Sequence, residues 1–227
     1  MRTLIASDWH LGHYSAPAHA ALARGFLEGV RRSGDRLVLN GDIFEGLFEP
    51  AARAEAAHPD LAALIAAMTR DGQVLRTEGN HDPGAGADYL ILEHPVAGRI
   101  LVMHGHRVDP VHGSPVGQVG DRISRRFGYL AIVRGAARAV EATATAVAAA
   151  RVDRFFRRQC LALVERHLCD LGVFGHNHRR HLVPGDRYAN AGCLTGTWLE
   201  YLLLDDAGPR LARLGLSDLG TAGAPVR

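Results

Sequence analysis

Thr3-Leu4-Ile5-Ala6-Ser7-Asp8-Trp9-His10 is a short apolar run that breaks into residues carrying a carboxylate and an imidazole. The same form returns along the chain. Arg36–Leu39 leads to Gly41-Asp42, Val74–Thr77 to Gly79-Asn80-His81-Asp82, Ile100–Met103 to His104-Gly105-His106, and Leu171–Phe174 to Gly175-His176-Asn177-His178. Short apolar runs bounded by polar or glycine-containing turns read as strands. Between the first three lie Ala16–Arg32 and Ala51–Arg70, whose apolar residues recur at three and four, as in Leu61, Leu64, Ile65 and Met68, with Pro50 near a helix start. The alternation predicts βαβ units and a largely parallel sheet. Further strands are expected at Tyr188–Ala191, Trp198–Leu204 and Arg210–Leu214, where short connections suit antiparallel or mixed pairing.

Composition narrows the classes. The chain has 227 residues, 47% hydrophobic and 22% charged, with a formal net charge of +2. That excludes intrinsic disorder, which needs low hydrophobicity and strong net charge, and a collagen-like or disulfide-scaffold protein. No segment approaches the roughly 18 uninterrupted apolar residues of a membrane span. The N-terminus turns acidic at Asp8, too soon for a secretory signal, and three cysteines without CxxC spacing (Cys160, Cys169, Cys193) read as reduced, buried packers. A cytoplasmic protein is the expectation, peripheral to the inner membrane if its basic segment touches lipid.

All 26 basic residues are arginine, and ten of them fall between Arg122 and Arg166 against only Glu141, Asp153 and Glu165. This segment, about 114–170, lacks strand signals: a Pro/Gly-rich loop gives way near Asp121 to a helical run, with a break expected around Arg134-Gly135. It reads as a helical insertion or lid on a single domain spanning 1–227, a basic cap over an acidic body.

The other excess is histidine, with 13 residues. Taken singly the five clusters are weak: Asp-x-His is often a cap beside a surface histidine, Gly-Asp a turn, and Gly-His-x-His a common loop. Each nevertheless follows an expected strand, and in open α/β sheets the loops beyond the carboxyl ends of strands converge. Together they offer Asp8, His10, Asp42, Asn80, His104, His176 and His178. Two carboxylates, one amide oxygen and four imidazoles are too many for one tetrahedral ion and enough for two ions with open positions. A carboxylate such as Asp42 can bridge two cations about 3.5–4 Å apart, the spacing of two-metal hydrolysis. Mixed oxygen and nitrogen ligation suits two divalent ions, manganese first, with iron or zinc as alternatives. Glycines beside the ligands let the backbone turn and approach closely.

The ordered set DxH, GD, GNHD, HGH and GHxH resembles the calcineurin-like metallophosphoesterase superfamily over residues 3 to about 192. The resemblance implies an αββα sandwich of two mixed sheets with a dinuclear site at one edge. By motif, one ion would be held by Asp8, His10, Asp42 and His178, and the second by Asp42, Asn80, His104 and His176. A metal-activated water would attack phosphorus in line, and His81 would assist the leaving oxygen. His81 needs an orienting carboxylate, either Asp82 or Glu45, with Glu45 preferred because related enzymes place one three residues after the bridging Asp. Tyr188–Gly192 is similar to the Asn-x-Gly segment that closes this fold beside the site. His106 departs from the HGD pattern of several relatives and receives no role.

The lid supplies the handle on substrate. Phe155, Phe156, Leu163, Val164 and Leu168 form an apolar set at helical spacing, and Arg151, Arg154, Arg157 and Arg158 crowd nearby faces. The set fits an ordinary amphipathic helix over a core with solvated arginines. It fits equally a cap for a substrate with anionic and greasy parts, where Arg151, Arg154, Arg158 and, just after the GHNH motif, Arg179 reach phosphate beside Asn80, and the lid contacts an anionic membrane. The Arg-rich insertion and Gly41-Asp42-Ile43-Phe44-Glu45 resemble UDP-2,3-diacylglucosamine pyrophosphohydrolases, a nucleotide-lipid substrate class. Those enzymes usually read GNRD and GHTH where this chain reads GNHD and GHNH. The alternatives are a phosphomonoesterase or phosphodiesterase for a nucleotide or other soluble phosphoester, a nuclease-like enzyme gripping a polyanion backbone (a nucleic-acid partner, less favoured), and a non-catalytic scaffold, which the complete set of ligand positions disfavours.

Overall fold

A computed structural model describes residues 2–110, 112–127 and 151–220. In chain order the strands are β1 (Thr3–Ala6), β2 (Arg36–Asn40), β3 (Val74–Thr77), β4 (Leu90–His94), β5 (Gly98–Val102), β6 (Leu171–Phe174), β7 (Tyr188–Asn190), β8 (Trp198–Asp205) and β9 (Gly208–Gly215). The helices are α1 (Pro17–Ser33), α2 (Ala51–Ala56), α3 (Pro59–Arg70) and α4 (Pro115–Phe127), followed by α5 (151–166).

Two mixed sheets result. The first has the order β3-β2-β1-β8-β9, with β1 parallel to β2, β2 parallel to β3, and β8 antiparallel to both β1 and β9. The second has the order β4-β5-β6-β7, antiparallel at β4–β5 and parallel at β5–β6 and β6–β7. Side chains of a strand point alternately to its two faces, and here both faces are buried. Leu4, Ala6, Leu37 and Leu39 pack outward against Leu22, Phe26 and Leu27 of α1 and Leu61, Ile65 and Met68 of α3. Ile5 and Val38, between them, face inward and meet Ile100, Val102, Val173 and Leu202. On the far side Leu101, Phe174 and Tyr188 meet Phe156, Cys160 and Val164 of α5. Helix, sheet, sheet, helix is the four-layer α/β sandwich expected.

The differences from the sequence expectation have local causes. Ala51–Arg70 is two helices because Pro59 lacks an N–H and crowds the residue before it, and His58 accordingly sits at φ −136°, ψ 57°. Strand β4 was not expected; its residues are mostly half-buried on an edge, so the apolar contrast is weak. Helix α4 begins at Pro115 rather than near Asp121, a start that suits proline at a helix's first position. Of the apolar lid set, Phe156 and Val164 are buried, but Phe155 and Leu168 are 45% and 78% exposed. Cys193 is half-exposed, unlike Cys160 and Cys169. The expected break at Arg134-Gly135 lies outside the described residues.

Candidate metal centre and active site

The parallel strands β1, β2, β3, β5 and β6 all end on one rim, and the residues just beyond them are Asp8, Asp42, Asn80, His104 and His176. These are not extended strand ends. Six non-glycine residues have positive φ among those described, and five are Asp8 (57°), His10 (48°), Asp42 (56°), His176 (70°) and His178 (56°). The left-handed region is costly for residues with a side chain, and such strain persists where surrounding structure enforces it. Asp8 and His10 therefore reach the same place through a twisted turn, not through the alternation of a strand.

Backbone contacts lock the rim. Trp9 and His10 both donate N–H to Asp42 O, at 2.9 and 3.0 Å, and His176 N–H donates to the Asp8 carboxylate at 3.0 Å. Gly79 has no room for a side chain, because a Cβ there would lie 2.0 Å from Asp42 Oδ1 and 2.6 Å from Asp42 N. Asn190 donates to Gly175 O (2.7 Å) and Asn177 Oδ1 (2.8 Å), which buttresses the GHNH loop from the Asn-x-Gly segment.

Among the described residues four groups of potential ligand atoms gather, His10 with Glu45 and His81, Asp109 with His112 and His176, and the two that contain the expected ligands. His178 Nε2 stands 3.2 Å from Asp8 Oδ1 and 3.1 Å from His10 Nε2. In the second group, Asp42, His104 and His176 bring their ligand atoms within 4.8 Å of one another. Two carboxylates face both groups: Asp42 Oδ2 is 3.1 Å from His104 Nε2 and 4.0 Å from His10 Nε2, and Asp8 Oδ1 is 3.2 Å from His178 Nε2 and 4.0 Å from His104 Nε2. The buried His104 Nδ1 lies 3.0 Å from Asn40 O. A proton there donates to the carbonyl and directs Nε2 at the rim, the orientation that metal-ligating histidines use. His104 Nε2 and Asn80 Oδ1 are both buried without a hydrogen bond, and the former is out of hydrogen-bonding alignment with Asp42. Orphaned buried polar atoms need a partner, and a cation in the second group fits both.

The electrostatics agree. Burial opposes ionisation of Asp8 and Asp42, but the facing imidazoles, His104 first, hold both well below the usual carboxylate range. Burial likewise opposes charge on His104, yet Asp42 and Asp8 push it up to about 9. Burial and then His81 push His10 down to about 4, leaving it neutral. The rim is thus an anionic cage that holds a proton until something more positive displaces it.

His81 Nδ1 is 2.8 Å from Glu45 Oε1, which also accepts N–H bonds from Leu47 (2.9 Å) and Phe48 (3.1 Å). His81 Nε2 faces Asp42 Oδ2 at 3.9 Å. Asp82, the other carboxylate considered for His81, is turned away. It accepts N–H bonds from Asp42 (2.8 Å), Ile43 (2.9 Å) and Gly79 (2.9 Å), and so pins the Asp42 turn. Burial and the charge of Asp42 push Asp82 up to about 6.

Of the arginines expected at substrate, Arg179 pairs with Asp153 at 3.5 Å, and Arg151, Arg154 and Arg158 are exposed on α5. Three contributors were not read from the sequence. Asn40 orients His104, and its signal was an amide closing a buried apolar strand. Asp109 Oδ2 stands 3.7 Å from His176 Nε2, and His112, otherwise an unassigned histidine, packs its ring on His176 at 5.2 Å. A cavity of about 420 Å³ opens beside Asp8, His10 and His178, lined also by Tyr14, Phe48 and Glu49.

Two mixed sheets whose strand ends gather carboxylates and imidazoles in this way form a candidate metal centre. The chain belongs to the calcineurin-like phosphoesterase family, whose model matches residues 1–180. No curated protein matches. Among solved structures, a single mutant of Vps29 from Entamoeba histolytica is similar at 16% identity and a TM-score of 0.50, over 95% of this chain and 99% of its own. Wild-type Vps29 from the same organism, complexed with zinc, aligns at 17% identity and a TM-score of 0.46, over 95% of this chain and 99% of its own. A conserved predicted phosphoesterase from Streptococcus pneumoniae TIGR4 aligns at 14% identity and a TM-score of 0.44, over 94% of this chain and 88% of its own.

Proposed function

We propose that the chain hydrolyses phosphoesters at two divalent cations, one held by Asp8, His10, Asp42 and His178 and the other by Asp42, Asn80, His104 and His176. The observation that carries this reading is Asp42 Oδ2, a single oxygen facing an imidazole of each donor group. When bound, such a pair supplies Lewis acidity toward phosphoryl oxygen and lowers the pKa of a coordinated water toward neutrality. Oxygen and nitrogen donors without thiolate suit manganese, iron or zinc.

The chain's own groups do the rest. Glu45 holds the proton of His81 on Nδ1 and favours the imidazolium, so that Nε2, directed at the Asp42 side of the site, delivers a proton to the departing oxygen. Asp82 and Gly79 keep Asp42 at its strained turn. Asn40 keeps His104 in the ligand tautomer.

For substrate, an amphiphilic phosphoester such as a UDP-linked diacylglucosamine fits the lid best. Helix α4 leaves Val119, Ile123 and Phe127 between 44% and 51% exposed, with Arg122 and Arg126 beside them. Greasy and basic surface together suit a lipid with a phosphorylated head, taken at the cytoplasmic side of a membrane. No helix among the described residues is long and apolar enough to cross one. The test is metal-dependent hydrolysis of UDP-2,3-diacylglucosamine beside bis(p-nitrophenyl) phosphate. Both activities are expected to vanish in a folded Asp42→Asn variant. Turnover of the diester alone would remove the lipid substrate and keep the chemistry, and full activity in Asp42→Asn would end the two-cation reading.

A further inference from the structure

The lid's arginines differ in where they end. Arg157 is paired with Asp186, and Arg179, across from the lid, with Asp153. Arg122, Arg126, Arg151, Arg154 and Arg158 are exposed. Arg125 is the exception. Helix α4 turns Gly117, Asp121, Ser124 and Arg125 toward the body, and Arg125 NH1 donates to the backbone oxygen of Asn80 at 3.0 Å. Asn80, whose side-chain oxygen is buried without a hydrogen bond, is the residue assigned above to the second cation. The guanidinium therefore rests one residue's breadth from the candidate metal centre.

That contact uses one of the five N–H donors of a guanidinium. No carboxylate lies within ion-pair distance of Arg125 among the described residues, whereas Arg107, half-exposed on the same side of the chain's fold, is paired with both Glu78 and Asp88. A guanidinium that spends one N–H on a carbonyl keeps four more in a planar fork, the geometry that phosphate oxygens accept in pairs. A charge held this close to an anionic rim without a partner of its own is suited to a ligand that brings the negative charge.

We propose that Arg125 is the phosphate-binding arginine of this site, its free N–H groups gripping nonbridging oxygens of the phosphoryl group that the rim engages. The proposal rests on the phosphoester reading above and adds a specificity to it: α4, not α5, supplies the arginine that reaches the reacting group, and it takes the charged nonbridging oxygens that a monoester and a pyrophosphate diester share.

The test is binding of inorganic phosphate to manganese-loaded protein by titration calorimetry, with metal content measured on each sample. Wild type is compared with Arg125→Ala, Arg125→Lys and, as a control at the exposed end of α3, Arg70→Ala. A charge-assisted pair of hydrogen bonds predicts that Arg125→Ala weakens phosphate binding about tenfold or more at unchanged metal content. Arg125→Lys recovers part of the loss, Arg70→Ala stays near wild type, and KM for p-nitrophenyl phosphate rises in the Arg125 variants in step with the phosphate Kd. Phosphate affinity in Arg125→Ala within about twofold of wild type overturns the proposal. So does loss of bound metal in that variant, which would make Arg125 a staple of the Asn80 backbone, and so does a wild type that binds no phosphate. Arg125-dependent phosphate binding in a protein that hydrolyses no phosphoester would uphold the arginine and remove the hydrolase reading instead.

Discussion

Replacing Glu45 separates the proton delivery proposed for His81 from the proposed cation binding. The carboxylate lies 2.8 Å from His81 Nδ1, and the ion pair holds Glu45 down at about 2, against the opposing effect of burial. By reciprocity the carboxylate favours imidazolium His81. Glu45→Gln keeps an oxygen that can accept the Nδ1 proton but removes the charge. A charged hydrogen bond contributes about 1.5–3 kcal/mol and a neutral one about 0.5–1.5, so the variant loses about 1–1.5 kcal/mol, or about 5- to 15-fold in kcat. Glu45→Ala removes the acceptor as well, and loss of such a supporting partner costs about 10- to 100-fold. The sign of the pH effect follows. An acid that must be protonated loses activity as pH rises through its pKa, and without the Glu45 charge that pKa falls, so the alkaline limb of kcat moves to lower pH in Glu45→Gln. The assay is steady-state hydrolysis of bis(p-nitrophenyl) phosphate from pH 5 to 10 at saturating metal. An unchanged kcat and an unchanged alkaline limb in Glu45→Gln would refute the pairing as a catalytic device.

Three further outcomes follow from the same geometry. Gly79→Ala forces a methyl group against Asp42, and metal titration should show affinity reduced about tenfold or more, with the circular dichroism spectrum retained. Phe156→Ala empties a fully buried site between α5 and the second sheet, beside His176 at 5.7 Å; a loss of about 3–5 kcal/mol should appear as a thermal midpoint lower by about 10 °C. In metal-free protein His104 keeps its proton up to about 9, so manganese binding at pH 7 should release protons, and its apparent affinity should climb with pH toward that value by about tenfold per unit for each proton displaced. Calorimetry in buffers of different ionisation enthalpy measures this directly, and pH-independent affinity would contradict it.

The legibility of the fold had a simple basis. Leu37, Val38 and Leu39 are apolar without alternation because one sheet face meets helices and the other meets the second sheet, and that continuous pattern marks a doubly covered strand. The donor residues were legible for the same reason: polar side chains cluster where such strands end. What stayed hidden depends on distant partners. The choice between Glu45 and Asp82 turns on which carboxylate points at an imidazole and which at three backbone N–H groups, and sequence neighbours cannot show that. Asp109 meets His176 across 67 positions of chain, and Arg125 meets Asn80 across 45. Both contacts come from the lid-side segment packing back on the rim. Strand β4 and the split at His58 were missed because an edge strand is half-wet and a helix repeat continues through a proline.

The most direct measurement of the account is the number of divalent ions bound per chain at saturation, by elemental analysis or native mass spectrometry, in wild type and in Asp42→Asn. Wild type is expected to hold two ions and the folded variant no more than one, because Asp42 Oδ2 faces an imidazole of each donor group. One ion or none in wild type, or two retained in Asp42→Asn, would contradict it.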